Sequence, residues 1–153
     1  MKFIEKADKN NKRFVLEYCE ESGVFVTNPR QELGHTSILV NYLEIEIDHE
    51  GSLLYARGLC PLVIAESTNK FPRRFMQKQL KIITEREITP GISLRVNNEH
   101  TWPIYLNHNE GWICIGSPDY TEDWLIEFAP STVATVKDGN LIALWLKPRF
   151  IFK

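Results

Sequence analysis

The sequence predicts a β-rich α+β fold: a mostly antiparallel curved sheet, a sandwich or a half-barrel, carrying one packed helix near residues 72–83. Three observations carry that expectation. Short runs of β-branched and aromatic residues are broken by turn signals about every 8–12 residues. A two-residue Asp138-Gly139 loop separates two apolar runs, a strong short-range hairpin signal. One stretch, FPRRFMQKQLKII, instead places apolar residues at helical spacing.

Taken in chain order, the first dozen residues fit a short helix. RFVLEYC and GVFVT read as strands. TSILVNYLEIEID is strand-like throughout, and its second half alternates. Leu43, Ile45 and Ile47 share one face, and Glu44, Glu46 and Asp48 the other, where they read as a solvated strand face. DHEGS then turns and LLYAR returns as the partner strand, ended or kinked by Gly58 and Pro61.

The expected helix starts with Pro72 in its first turn, where a missing N–H costs nothing. At 100° per residue, Phe75, Met76, Leu80 and Ile83 gather on one side, and Arg74, Gln77, Lys78 and Lys81 opposite. ISLRV follows as a strand. TWPIYL and GWICIGS flank an NHNEG turn, and DWLIEFA is a further strand. In the last hairpin the register pairs Val136 with Leu141, Ala134 with Ala143 and Val133 with Leu144. Both faces are then largely apolar, so this hairpin belongs in the middle of a sheet with cover on both sides. The count reaches nine or ten strands.

The chain has 153 residues, 43% hydrophobic and 25% charged, enough for one domain over 1–153 with a substantial core. Its N-terminus is too charged for a signal-peptide core, and its apolar runs fall far short of the roughly 20 residues that span a bilayer. Cys19, Cys60 and Cys114 are odd in number and scattered. They read as reduced thiols, and the expected compartment is the cytoplasm, with no membrane partner.

Chemistry is sparse. His35, His49, His100 and His108 have no zinc-like spacing with each other or with a cysteine, so no metal is expected. His100 and His108 stand eight residues apart across a strand, about 26 Å at 3.3 Å per residue. No Ser elbow, phosphate cradle or dinucleotide fingerprint occurs, so no catalytic residue or cofactor is assigned.

Charge is the informative signal. Net charge is −2, but it is segregated along the chain. Residues 14–69 carry two bases and nine acids, and residues 70–95 seven bases and two acids. Residues 96–136 carry six acids and no base. Within that window, Glu110, Asp119, Glu122 and Asp123 stand among Trp112, Tyr120 and Trp124. Aromatic anchors beside carboxylates are a common interface composition, although Trp112 fits a core equally well and Trp124 fits a core better.

The expected function is therefore a non-enzymatic protein-binding module, most concretely a bacterial immunity protein that neutralises a basic, nuclease-like toxin. Glu110, Asp119, Glu122 and Asp123 would supply charge, with Trp112 and Tyr120 as anchors. Two alternatives remain open. A basic helix over 70–86, with Arg73, Arg74, Lys78 and Lys81, would bind nucleic acid, although an isoelectric point of about 6.1 is low for that role. A small β-barrel enzyme or ligand-binding protein is the other.

Overall fold

Strands are the main regular structure in the computed structural model, which describes residues 1–6, 12–96 and 101–152. The strands in chain order begin with β1 (Lys2–Lys6), β2 (Val15–Cys19), β3 (Val24–Asn28) and β4 (Thr36–Val40). Next come β5 (Leu43–Ile47), β6 (Leu53–Leu59), β7 (Glu66–Ser67) and β8 (Met76–Gln77). Then follow β9 (Gln79–Ile83), β10 (Leu94–Arg95), β11 (Ile104–Asn107) and β12 (Trp112–Gly116). The last are β13 (Leu125–Ala129), β14 (Thr132–Lys137), β15 (Asn140–Leu146) and β16 (Arg149–Ile151).

The first sheet runs β10-β4-β5-β6-β3-β2-β16 and the second β7-β11-β12-β15-β14-β13-β8; β1 and β9 form a separate ribbon. The inner faces pack together. Phe25, Ile38, Ile45 and Leu53 of the first sheet share one buried cluster with Ile113, Phe128, Ala134 and Leu144 of the second, and with Phe3 and Leu80 of the ribbon. The four outermost strands, β10, β16, β7 and β8, are two or three residues long and pair in parallel with their neighbours. Such short edges offer little backbone for a stray strand to extend.

The helix expected near 72–83 is absent. Residues 76–77 pair with β13 and residues 79–83 with β1. The only helical element among the described residues is a 3-10 turn, Glu122–Trp124. Phe75, Met76, Leu80 and Ile83 have helical spacing, but burial follows a period of two. Leu80 and Ile82 are buried with Lys81 facing away between them, whereas Met76 and Ile83, expected on the packed side, are 41% and 53% exposed. Backbone pairing with β1 and β13 outweighs a local helical preference. The fold is thus all-β and not α+β. The N-terminal residues likewise form β1, not a helix; residues 7–11 lie outside the described residues.

Turn chemistry held better than register. Asp138 and Gly139 take φ of 52° and 78°, the doubly left-handed loop their side chains tolerate. The hairpin is central in the second sheet. Val136 pairs with Leu141 as expected, but a bulge at Ile142 shifts the rest: Thr135 opposes Ala143 and Ala134 opposes Leu144. TSILVNYLEIEID is itself a hairpin, turning at Asn41-Tyr42 with Asn41 at φ 56°.

Candidate partner-binding surface

The NHNEG turn is built by Asn107. Its side-chain oxygen accepts the Glu110 N–H at 2.9 Å, and its carbonyl accepts the Gly111 N–H at 2.9 Å. Its amide nitrogen donates to the Lys70 carbonyl at 3.0 Å. Asn107 is 3% exposed, so one buried amide fixes the turn and ties it to residue 70. Glu110 lies exposed at the tip.

Inside that turn, the outer face of the second sheet carries its own apolar cluster. Trp112, Cys114, Leu125, Val133, Ala143 and Trp145 are buried, with Phe71, Phe75, Tyr105 and Tyr120 packed over them. The rings meet edge to face: Trp112 and Trp145 at 6.5 Å, Phe75 and Trp112 at 6.4 Å, Tyr120 and Trp145 at 6.2 Å. The Trp145 indole nitrogen and the Thr135 hydroxyl are buried without a hydrogen-bond partner among the described residues. Burial pushes the Cys114 thiol up, and pushes Cys60 up to about 12, so neither is a ready nucleophile.

Two straps cover this cluster. Residues 70–75 supply Phe71 and Phe75, and residues 117–124 supply Tyr120. The Tyr120 hydroxyl donates to the Phe71 carbonyl at 2.6 Å, and Lys70 pairs with Asp119. Cations from distant segments also stand over the aromatics: Lys147 lies 5.9 Å from the Trp112 ring centre and Lys137 lies 5.0 Å from that of Trp124. The base-free stretch of sequence is therefore partly neutralised in space. Glu110, Glu122 and Asp123 are exposed and outside any ion pair among the described residues.

The six expected contact residues are only partly gathered. Asp119, Tyr120, Glu122 and Asp123 lie on one strap. Trp112 is 5% exposed and meets Phe75 of the other strap and Trp145, in the cluster beneath both straps. Glu110 is elsewhere. Gly116, Ala143, Thr135 and Leu125 form one row across the sheet, which puts Glu122 and Asp123 at the Gly116 end of β12. Glu110 lies beyond Trp112, four residues and about 13 Å away along the strand.

The charge readings along the rest of the chain also change. Glu46, expected to be solvated, is 3% exposed. It accepts the Gly34 N–H at 2.8 Å and the Arg57 Nε at 3.3 Å, and Arg57 also reaches Glu44 at 3.3 Å. Arg73, Arg74, Lys78 and Lys81 share no helix face: Arg73 stacks 5.0 Å from Phe71 and Lys78 pairs with Glu5. A depression of about 500 Å3 on the outer face of the first sheet, lined by Val26, Arg30, Leu33, Tyr55 and Arg57, had no signal in the sequence. His100 and Glu99 lie outside the described residues. Among the described residues no three of His, Cys, Asp and Glu converge on a metal-sized site, and no helix is long and apolar enough to cross a membrane.

Compared with protein-family models, curated proteins and solved structures, the chain matches none.

Proposed function

We propose that this chain is a non-enzymatic protein-binding module of the bacterial cytoplasm, acting as an immunity protein that neutralises a basic, nuclease-like toxin. The observation that carries the reading is the strap carboxylate pair Glu122 and Asp123, exposed, outside any ion pair, and mounted on a 3-10 turn closed by the Trp124 N–H to Thr121 carbonyl bond at 3.0 Å. The turn fixes the backbone that carries both carboxylates, and the Thr121 hydroxyl donates to Asp123 Oδ1, so part of their ordering precedes an encounter with a cationic partner. Glu110 adds charge from the far end of the same sheet.

The test is capture of the tagged full chain from cells that naturally make it. The expected result is one basic protein in 1:1 complex whose association slows as salt rises. Charge reversal, Glu122→Lys with Asp123→Lys, should slow association about tenfold at low salt. An unchanged on-rate would remove the strap from the interface, and recovery of no specific protein would remove the reading.

A second reading is favoured by the first-sheet depression. Its volume of about 500 Å3 lies in the range of small-molecule pockets, with Arg30, Arg57, Thr27 and Gln31 beside apolar Val24, Val26 and Leu33. A metabolite that raises the melting temperature of the wild type, but not of Arg30→Ala, would support it.

A further inference from the structure

The turn after β6 breaks the ordinary rule for surface loops. Exposed turns are dominated by Gly, Pro, Asn, Asp and Ser. This one reads Pro61-Leu62-Val63-Ile64-Ala65. Val63 is 92% exposed and Ile64 63%. Beside them, Tyr42 at the β4–β5 turn is 68% exposed and Leu59 43%. Tyr42, Leu59 and Ile64 line one shallow apolar depression together. Isolated exposed apolar residues are ordinary, but four of them side by side mark a contact surface.

The apolar tip is also held rigid. The Cys60 N–H donates to the Gly23 carbonyl at 2.8 Å, and the Tyr18 hydroxyl to the Cys60 carbonyl at 2.6 Å. The Ala65 N–H closes the turn on the Leu62 carbonyl at 3.0 Å. Cys60 is 2% exposed and Tyr18 2%, so the root of the loop is anchored in the core. Little order has to be imposed when this tip meets a partner.

On its other flank, Val63 borders a second depression lined by Glu20 and Glu21, both exposed on the β2–β3 turn. Among the described residues no Lys or Arg lines either depression. Two copies meeting through this surface would bring those carboxylates toward each other, which disfavours self-association. An anionic lipid surface would be repelled for the same reason.

We propose that the Pro61–Ile64 turn, with Tyr42 and Leu59, is an anchoring surface for a protein whose contact patch is an apolar knob rimmed by lysine or arginine. The apolar tip fills against the knob, and Glu20 and Glu21 face the basic rim. This goes beyond the strap-based reading and shares with it only the sign of the partner's charge.

The experiment is a nitrogen-15 NMR titration of the full chain with a synthetic peptide of alternating leucine and lysine. A leucine/glutamate peptide and an all-lysine peptide serve as controls. Shifts at Tyr42, Leu59, Val63, Ile64 and the Glu20-Glu21 turn are expected with the first peptide only. The double variant Val63→Asp, Ile64→Asp should weaken binding about tenfold or more, as loss of interface anchors does. Both residues are solvent-facing, and an unchanged amide spectrum elsewhere will confirm that the variant is folded. Shifts confined to the 117–124 strap would overturn this inference and leave the strap reading standing. Equal binding of the acidic peptide, or no shift at the turn at millimolar peptide, would overturn it outright. Concentration-dependent dimerisation lost in the variant would assign the surface to a second copy instead. Binding to phosphatidylglycerol vesicles lost in the variant would assign it to a membrane.

Discussion

Outside their shared core, the two large sheets are covered by opposite chemistry. The second sheet buries Trp112, Trp145, Leu125 and Val133 beneath Phe71, Phe75 and Tyr120. The first instead buries carboxylates: Glu17 at 7% exposure pairs with Arg149, and Glu46 at 3% pairs with Arg57. Its roof is polar as well, since the Tyr55 hydroxyl donates to the Glu32 carbonyl at 2.9 Å and Glu46 holds the Gly34 N–H. Apolar cover contributes through burial and packing, which scale with the volume removed. Paired charges largely return what their desolvation cost, so they matter chiefly when one partner is lost. The two faces should therefore fail differently under substitution.

The largest effect is expected at Trp145, which is fully buried in the middle of the second sheet. Trp145→Ala should cost about 3–5 kcal/mol in urea unfolding, because straps pinned by their own hydrogen bonds cannot collapse into the space. Trp145→Phe should cost less, about 1–2 kcal/mol, since it also removes an indole N–H that has no partner among the described residues. The loosened face should also expose Cys114, which is 0% exposed in the wild type, to a thiol reagent, while the half-buried Cys19 on the first sheet reacts in both proteins. Equal reactivity of Cys114 in wild type and variant would mean that the straps do not seal that face.

A smaller effect is expected at Glu46. Glu46→Gln keeps an acceptor for the Gly34 N–H and loses only the charge facing Arg57, which Glu44 still holds at 3.3 Å. Roughly 1–2 kcal/mol should be lost. Glu46→Leu should cost more, because the Gly34 amide is then left with nothing to bond. If Gln and Leu destabilise equally, the backbone bond is not what Glu46 is buried for. If either exceeds Trp145→Ala, the contrast between the two faces is reversed.

The same contrast explains what the sequence could tell. Strands whose neighbours follow in the chain were legible, because the signal is local: Asp138-Gly139 needs left-handed backbone, and Leu43-Ile45-Ile47 alternates. Residues 72–83 were not. Their strand state depends on β1 and β13, which lie dozens of residues away, while Phe75, Met76, Leu80 and Ile83 are locally spaced as on a helix. The bulge at Ile142 left no local signature and moved most of one register by a residue. Glu46 looked solvated because its alternation is polar; the arginine and the Gly34 loop that bury it come from elsewhere. The acidic character of residues 107–124 was readable, but Lys70, Lys137 and Lys147, which fold against it, were not. The apolar turn at Val63 stood in plain view as a run of the wrong residues for a loop. Only its exposure in the fold distinguishes it from a strand end.

The smallest expected change in stability is at Lys70, and it bears most directly on function. The Lys70–Asp119 pair clasps the two straps, yet its side chains are 51% and 74% exposed. Exposed pairs contribute about 0–1 kcal/mol. The straps have other fastenings, the Tyr120 hydroxyl on the Phe71 carbonyl and the Asn107 amide on the Lys70 carbonyl, and the second of these uses backbone that any residue at 70 retains. Lys70→Ala should thus lower the unfolding free energy from urea titration by no more than about 0.5 kcal/mol. A loss above about 1 kcal/mol would show that charge and not carbon closes the second sheet, erasing the distinction between the two faces. Removing Lys70 also frees the Asp119 carboxylate beside Glu122 and Asp123. Association with a basic protein, followed by stopped flow at low ionic strength, should then become faster than for the wild type and converge with it as salt rises. A variant of unchanged stability and slower association would place Lys70 itself in contact with the partner, and the partner's facing surface would have to be acidic.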